Sequence, residues 1–286
     1  RCGSPLRLDM AAIAAEPNVV DIDGLSTYYV RTGQGPALVL LHGQSPGSCT
    51  DVHWPATIDH FASDYTVYAF DQVGFGKTDN RGDFSMAARV SHAKAFLAAM
   101  HLDSYTLWGQ SSGSEISLRI ALDDPRVRAL ILQASGSLSP RDPDESEESA
   151  RRVTREMEEY TPTLENARAH LLSAIMDKSL VTDELVQLVL ANSSGRNFES
   201  HQARFKAPRL APIHPELGRL RAPALLLWGK NDSVSPRRGL LLHALIPGAE
   251  FHVFDHCGHW VQLDQAARVN AVVRDFLAGC FATNAA

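Results

Sequence analysis

Short apolar runs alternate along this chain with stretches whose apolar positions recur at helical spacing. The runs Val19–Ile22 and Thr27–Arg31 flank Asp23-Gly24-Leu25-Ser26 and predict a leading hairpin. Residues 37–43 (ALVLLHG) and 65–71 (YTVYAFD) read as further strands, followed by 105–109 (YTLWG), 129–135 (ALILQAS), 224–229 (ALLLWG) and 250–254 (EFHVF). Helical spacing fills Ser85–Met100, Ser114–Leu122, Pro236–Leu245 and Gln265–Leu277. Strands alternating with helices predict an α/β protein with a mainly parallel sheet of eight strands and helices on both faces. Strands covered on both sides are apolar throughout rather than alternating, as these runs are.

The alternation stops between about Leu138 and Pro208, where no strand pattern appears. This stretch opens with the acidic segment 139–152 (SPRDPDESEESARR), read as a solvated linker. Helical patterns follow at 150–160, 163–176 and 182–194. Thr182 before Asp183 and Glu184 is a favourable helix start, because an oxygen and negative charge satisfy the free N–H end. The expected division is a tail over 1–17, a core over 18–137 and 209–286, and a helical cap over 138–208. The cap would cover the carboxyl edge of the sheet, where open α/β sheets bind ligands.

Composition removes several function classes. The 27 basic and 33 acidic residues give a formal charge of −6, and no basic stripe predicts a nucleic-acid partner. No apolar run approaches the length of a membrane span. Cys2, Cys49, Cys257 and Cys280 show no paired metal spacing, and a chain of 286 residues needs no disulfides, so reduced thiols in a cytoplasm are expected. The opening RCGSPLRLD lacks Met and a signal-type apolar region; it reads as a cloning remnant, with Met10 as the native start.

The candidate chemistry begins at Gly109-Gln110-Ser111-Ser112-Gly113. Gly-x-Ser-x-Gly is a weak string alone, equally a Gly/Ser turn, but here it joins a strand to a helix. Small residues on both sides let the backbone take a strained bend that lifts the Ser111 hydroxyl above the sheet edge. A serine nucleophile needs a base, and the base an orienting acid. Asp232 follows the strand ALLLWG and His259 follows EFHVF, so all three residues are expected at one sheet edge. Asp232 is alternatively a loop Asp in an Asx-turn. His252, His256, Cys257 and His259 are alternatively a metal cluster, although no ligand pair shares a helix face; no metal is expected. His256 and Asp255 are backup candidates beside the base, and Cys49 and Cys257 are pocket or packing residues. An oxyanion hole needs two backbone N–H groups. Ser112 is expected to supply one and Gln44, in the loop His42–Gly47, the other.

These residues resemble the α/β-hydrolase family from about Val19 to Leu277 and, more narrowly, the meta-cleavage product hydrolases, which cut carbon–carbon bonds in ring-opened aromatic catabolites. The likeness rests on 42–47 (HGQSPG), on 70–79 (FDQVGFGKTD), on the cap stretch LLSAIMDKSLVTDELVQ and on 252–265 (HVFDHCGHWVQLDQ). It implies an α/β-hydrolase fold, no cofactor, a small-molecule substrate and a homodimer or larger homo-oligomer. It also implies substrate contacts from Gln110, Trp260 and His53, the last standing where the family commonly has Asn. The family's carboxylate-binding Arg falls at Val189 here, leaving Arg196, Arg204 or His53 as replacements. Val cannot hold a carboxylate as a bidentate guanidinium does. The expected activity is hydrolysis of a meta-cleavage-type dienoate ketone. The alternatives are an ester, lactone or amide hydrolase on the same scaffold and a ligand-binding protein without catalysis.

Overall fold

The computed structural model describes residues 17–282. The proposed cloning remnant, the Met10 start and Cys2 lie outside the described residues. The chain opens with a hairpin, β1 (Pro17–Ile22) and β2 (Leu25–Thr32), turned at Asp23 and Gly24, both at positive φ. β3 (Ala37–Leu41) leads into two short helices, α1 (Thr50–His53) and α2 (Pro55–Phe61). β4 (Thr66–Phe70), α3 (Met86–Ala99), β5 (Tyr105–Gln110), α4 (Ser112–Ala121) and β6 (Val127–Gln133) follow in alternation. Four helices interrupt it: α5 (Glu147–Glu158), α6 (Leu164–Ala174), α7 (Asp183–Asn192) and α8 (Arg196–Lys206). β7 (Ala224–Gly229), α9 (Pro236–Leu245), β8 (Glu250–Phe254), α10 (Val261–Asp264) and α11 (Ala266–Ala282) complete the chain.

The eight strands form one sheet in the order β1-β2-β4-β3-β5-β6-β7-β8. β2 pairs antiparallel with β1 and β4, and every later pairing is parallel. Successive residues of one strand enter different cores, as a period of two dictates. Val39, Leu41, Leu107, Leu130 and Leu226 pack with Phe96 of α3, Ile116 of α4 and Leu242 of α9. Leu38, Leu40, Trp108, Ile131 and Leu225 pack on the other face with Phe61 of α2 and Val273 of α11. Each such fully buried large side chain stabilises the fold by roughly 1.5–3 kcal/mol.

β3 connects onward to β4 on one side while β5 lies on its other side, so the strand order reverses between β3 and β5. Such a reversal opens a crevice at the carboxyl ends of the strands. A third apolar cluster lies on that side. Ala167 and Leu171 of α6 and Leu185, Val186 and Val189 of α7 pack with Cys49, Val52, Trp260 and Leu263.

The sequence pattern missed α8, whose buried residues Asn197, Ser200 and His201 are polar. The acidic segment also departs from the solvated-linker reading. Asp142 is 3% exposed and accepts from Arg237 Nε at 2.7 Å, and Glu145 pairs with Arg238 at 3.0 Å. The two arginines open α9, so part of the acidic run docks on it by charge rather than standing in solvent.

Candidate active site

Ser111 stands between β5 and α4 with φ 53° and ψ −120°, a backbone conformation that costs a non-glycine residue about 1–3 kcal/mol. The surroundings hold it there. Its N–H donates to the Gln133 carbonyl of β6 at 2.7 Å, and the Ser114 N–H donates to the Ser111 carbonyl at 3.0 Å. The buried Ser114 hydroxyl contacts the Gly109 carbonyl at 2.7 Å and accepts from the Gln133 N–H at 2.9 Å. The bend leaves no room for side chains beside it. A Cβ on Gly109 would meet the Gly113 carbonyl oxygen at 2.3 Å, and one on Gly113 would meet that of Leu41 at 2.2 Å.

Asp232 lies in the loop after β7 and His259 in the loop after β8, both buried. His259 Nδ1 lies 3.0 Å from each Asp232 carboxylate oxygen. The carboxylate only accepts, so Nδ1 carries the proton and Nε2 is the free base nitrogen of the neutral ring. Burial opposes charge on His259, but the charge and hydrogen bond of Asp232 outweigh it and raise the pKa above the ordinary 6.5. Asp232 also accepts from the Val234 N–H at 2.8 Å, so the Asx-turn and the histidine contact coexist. The His259 N–H donates to the Ala174 carbonyl at 2.8 Å, anchoring the loop after β8 to the end of α6. Asp264 strengthens the same joint by accepting from Gly258 N at 2.7 Å and Met176 N at 2.9 Å.

The loop after β3 faces Ser111: a Cβ on Gly43 would lie 3.1 Å from Ser111 Cβ. His42 is buried with Nδ1 2.8 Å from the Gly43 carbonyl, while its Nε2 accepts from the Gln72 N–H at 3.2 Å. That pairing assigns the proton to Nδ1, and burial holds the ring neutral by lowering its pKa to about 3. C=O and N–H point oppositely across a trans peptide, so fixing the Gly43 carbonyl also fixes the Gln44 N–H. The Ser112 N–H belongs to the free positive end of α4.

His53 is fully buried, with Nε2 3.0 Å from Ser48 Oγ, Nδ1 3.3 Å from Gln262 Nε2 and its ring 4.4 Å from that of Trp260. Burial depresses its pKa well below 6.5. Gln110 is fully buried beside Gly43, and neither its Oε1 nor its Nε2 has a partner among the described residues. Trp260 is fully buried, its indole N–H likewise unpartnered.

Arg196 is not brought to this cluster. Its side chain is 52% exposed and turns to Asp79 at 3.9 Å and the Lys77 carbonyl, because α8 begins at the surface there. Arg204, two turns along α8, stacks 3.7 Å from the Phe75 ring centroid and donates to the Gly74 carbonyl at 2.8 Å. Its buried Nε has no partner among the described residues. Val189 is fully buried against Gly47. The backup pair is displaced: Asp255 is exposed and bridges to Lys230 at 2.7 Å, and His256 is exposed. Among the described residues, no three His, Cys, Asp or Glu side chains are grouped to hold a metal, and Cys49, Cys257 and Cys280 form no disulfide.

Two residues beside the site carried no sequence signal. His170 of α6 places its ring 6.0 Å from that of Trp260 and leaves Nε2 buried and unpartnered among the described residues. Arg89 of α3 is 1% exposed, with bonds to Gln44, Gln72 and Ser112. Their helices read as ordinary amphipathic elements.

The profile of the family described as alpha/beta hydrolase fold matches residues 36–266. The chain is 33% identical to the 2-hydroxy-6-oxo-2,4-heptadienoate hydrolase of Pseudomonas putida strain F1, covering 89% of this chain and 94% of the relative. It is 32% identical to the 2-hydroxymuconate semialdehyde hydrolase of Pseudomonas sp. strain CF600, over 89% and 91%. A mutant meta-cleavage product hydrolase from Pseudomonas fluorescens IP01, complexed with acetates, superposes with a TM-score of 0.82 at 30% identity, covering 92% of this chain and 97% of that one. With this fold, strand order and likeness across nearly its whole length, the chain belongs to the α/β-hydrolase family and, within it, to the meta-cleavage product hydrolases.

Proposed function

We propose that this protein is a cofactor-independent serine hydrolase that cleaves a carbon–carbon bond in a meta-cleavage-type dienoate ketone. The carrying observation is the His259–Asp232 contact at 3.0 Å, on the sheet edge where Ser111 occupies its strained bend. His259 Nε2 takes the Ser111 proton, and Ser111 Oγ attacks the ketone carbon of the tautomerised substrate. The carbonyl electron pair moves onto oxygen, facing the Gln44 and Ser112 amides, while Asp232 stabilises the imidazolium. Re-forming the carbonyl breaks the carbon–carbon bond. The departing fragment takes that electron pair and a proton from His259, leaving an acyl group on Ser111. Water activated by the same histidine releases the acid.

Residues 138–208 serve as a cap over this edge, anchored through Ala174 to the His259 loop. Gln110, His53 and Trp260 line the substrate side. Arg204 takes the place of the family's carboxylate-binding arginine, since Val189 is committed to the apolar cluster behind Gly47. The protein works on a small molecule in the cytoplasm, as a homodimer or larger homo-oligomer. Among the described residues, no helix is long and apolar enough to cross a membrane.

The Val at position 189 favours one second reading, an ester, lactone or amide hydrolase without a dienoate clamp. Comparing wild type with Ser111→Ala on a coloured ring-fission dienoate and on a short aryl ester separates the two. Bleaching of the dienoate by wild type alone is expected; Ser111-dependent cleavage of the ester without bleaching would leave the second reading.

A further inference from the structure

We infer that Arg89 is a positioning residue of the oxyanion hole: a buried guanidinium on α3 that ties the two amide-bearing residues together from behind. This rests on the proposed roles of Gln44 and Ser112. Arg89 Nη1 donates to Gln44 Oε1 at 3.0 Å and Nη2 to Ser112 Oγ at 2.8 Å. Nε and Nη2 both donate to Gln72 Oε1, at 2.9 and 2.7 Å, and Gln72 Nε2 in turn donates to the His42 carbonyl at 2.7 Å. One side chain therefore grips the loop after β3 at Gln44 and, through Gln72, at His42, while also gripping the first residue of α4. The two N–H groups that face the reacting oxygen sit on elements joined by this fork.

The charge itself is the second observation. Arg89 is 1% exposed, and no carboxylate forms an ion pair with it among the described residues. All its acceptors are neutral amide and hydroxyl oxygens. Burying a cation that no carboxylate touches costs several kcal/mol, offset here only by the field of Glu115, whose own ion pair is with Arg119. Desolvation lowers its pKa only to about 10, so the guanidinium stays charged at neutral pH. The hydrogen-bonded network holds no negative charge of its own, and one forms during catalysis on the carbonyl oxygen of the bound substrate. With four of its N–H groups engaged by protein, Arg89 acts through the amides rather than by touching substrate.

The test compares wild type, Arg89→Met, Arg89→Lys and the double variant Gln44→Ala/Ser112→Ala. An activated aryl ester and a ring-fission dienoate serve as substrates, and phenylboronic acid as the tetrahedral mimic on Ser111. Losing one hole donor costs about 10²–10³ in kcat, so losing its support is expected to cost about 10- to 100-fold. In Arg89→Met, kcat falls by that factor on whichever substrate wild type turns over. KM changes less than about threefold, and boronate affinity falls in step with kcat. Arg89→Lys, which keeps the charge, recovers part of both. The double variant reproduces the loss, and adding Arg89→Met to it brings no further loss. A folded Arg89→Met with wild-type kcat and boronate affinity, or a change in KM alone, would overturn the assignment. Should Arg89→Met not fold, wild-type boronate affinity in the double variant would overturn it instead. Wild type inert to both substrates and to boronate would overturn the hydrolase reading and this assignment together.

Discussion

Replacing Asp232 by Asn probes the charge pair at the centre of the site. The His259 ring stands 3.0 Å from both carboxylate oxygens, and the Asp232 side chain is fully buried. Unit charges about 3–4 Å apart attract by about 4–5.5 kcal/mol at an effective dielectric of about 20. Losing that stabilisation of the imidazolium corresponds to about 10³–10⁴ in kcat. Asn adds a geometric fault. Its oxygen is already held by the Val234 N–H at 2.8 Å, so the amide NH₂ faces Nδ1 and forces the proton onto Nε2, where no base remains. The acid limb of the pH–rate profile should move as well. In wild type, Asp232 raises the His259 pKa above 6.5 against the opposing effect of burial. A raised pKa keeps the ring protonated to higher pH, so the limb of kcat/KM lies above that value. In Asp232→Asn only the effect of burial remains, and the limb should fall below it. Initial rates on an aryl ester from pH 5 to 9 measure both quantities. A loss under tenfold with an unmoved limb would refute this coupling.

Other positions yield sharper contrasts between stability and activity. Ser114→Ala leaves the buried Gln133 N–H and Gly109 carbonyl without their hydroxyl partner and should cost about 1–3 kcal/mol, read as a lower Tm in calorimetry. Arg204→Met should raise KM for a dienoate about 10- to 100-fold while leaving ester KM unchanged; equal effects on both substrates would remove the carboxylate-clamp role. Val189→Arg should not restore the family's clamp, because the side chain is fully buried against Gly47. A destabilisation of at least about 2 kcal/mol in urea unfolding is expected, and a stable variant with faster dienoate turnover would contradict it.

The placement of the candidate site was legible in the sequence wherever its residues sit at the end of an apolar strand. Ser111, Asp232, His259 and the loop His42–Gly47 each follow such a run, and parallel strands deliver their carboxyl ends to one edge. What stayed hidden depends on burial of polar residues. Arg89 sits on a helix whose other residues include the buried His92, Ala93 and Phe96, and a lone Arg there reads as surface. Only its bonds to positions 17 to 45 residues away in sequence show it to be interior. α8 escaped for the same reason, since Asn197, Ser200 and His201 bury a face that carries no apolar period. α1 and α10 are four residues long, too short for any helical period to register. Arg196 shows the converse failure. A cap arginine chosen from its type alone faces Asp79, while Arg204, two turns further on, has the partly buried position.

The central claim is that Ser111 carries an acyl group after carbon–carbon cleavage. Quenching a single turnover of a ring-fission dienoate and weighing the Ser111 peptide tests it most directly. Bleaching should accompany a Ser111 peptide heavier by the acyl fragment of the substrate, with neither signal in Ser111→Ala. Bleaching that persists in Ser111→Ala, or wild-type protein that cleaves an aryl ester yet never bleaches the dienoate, would contradict it.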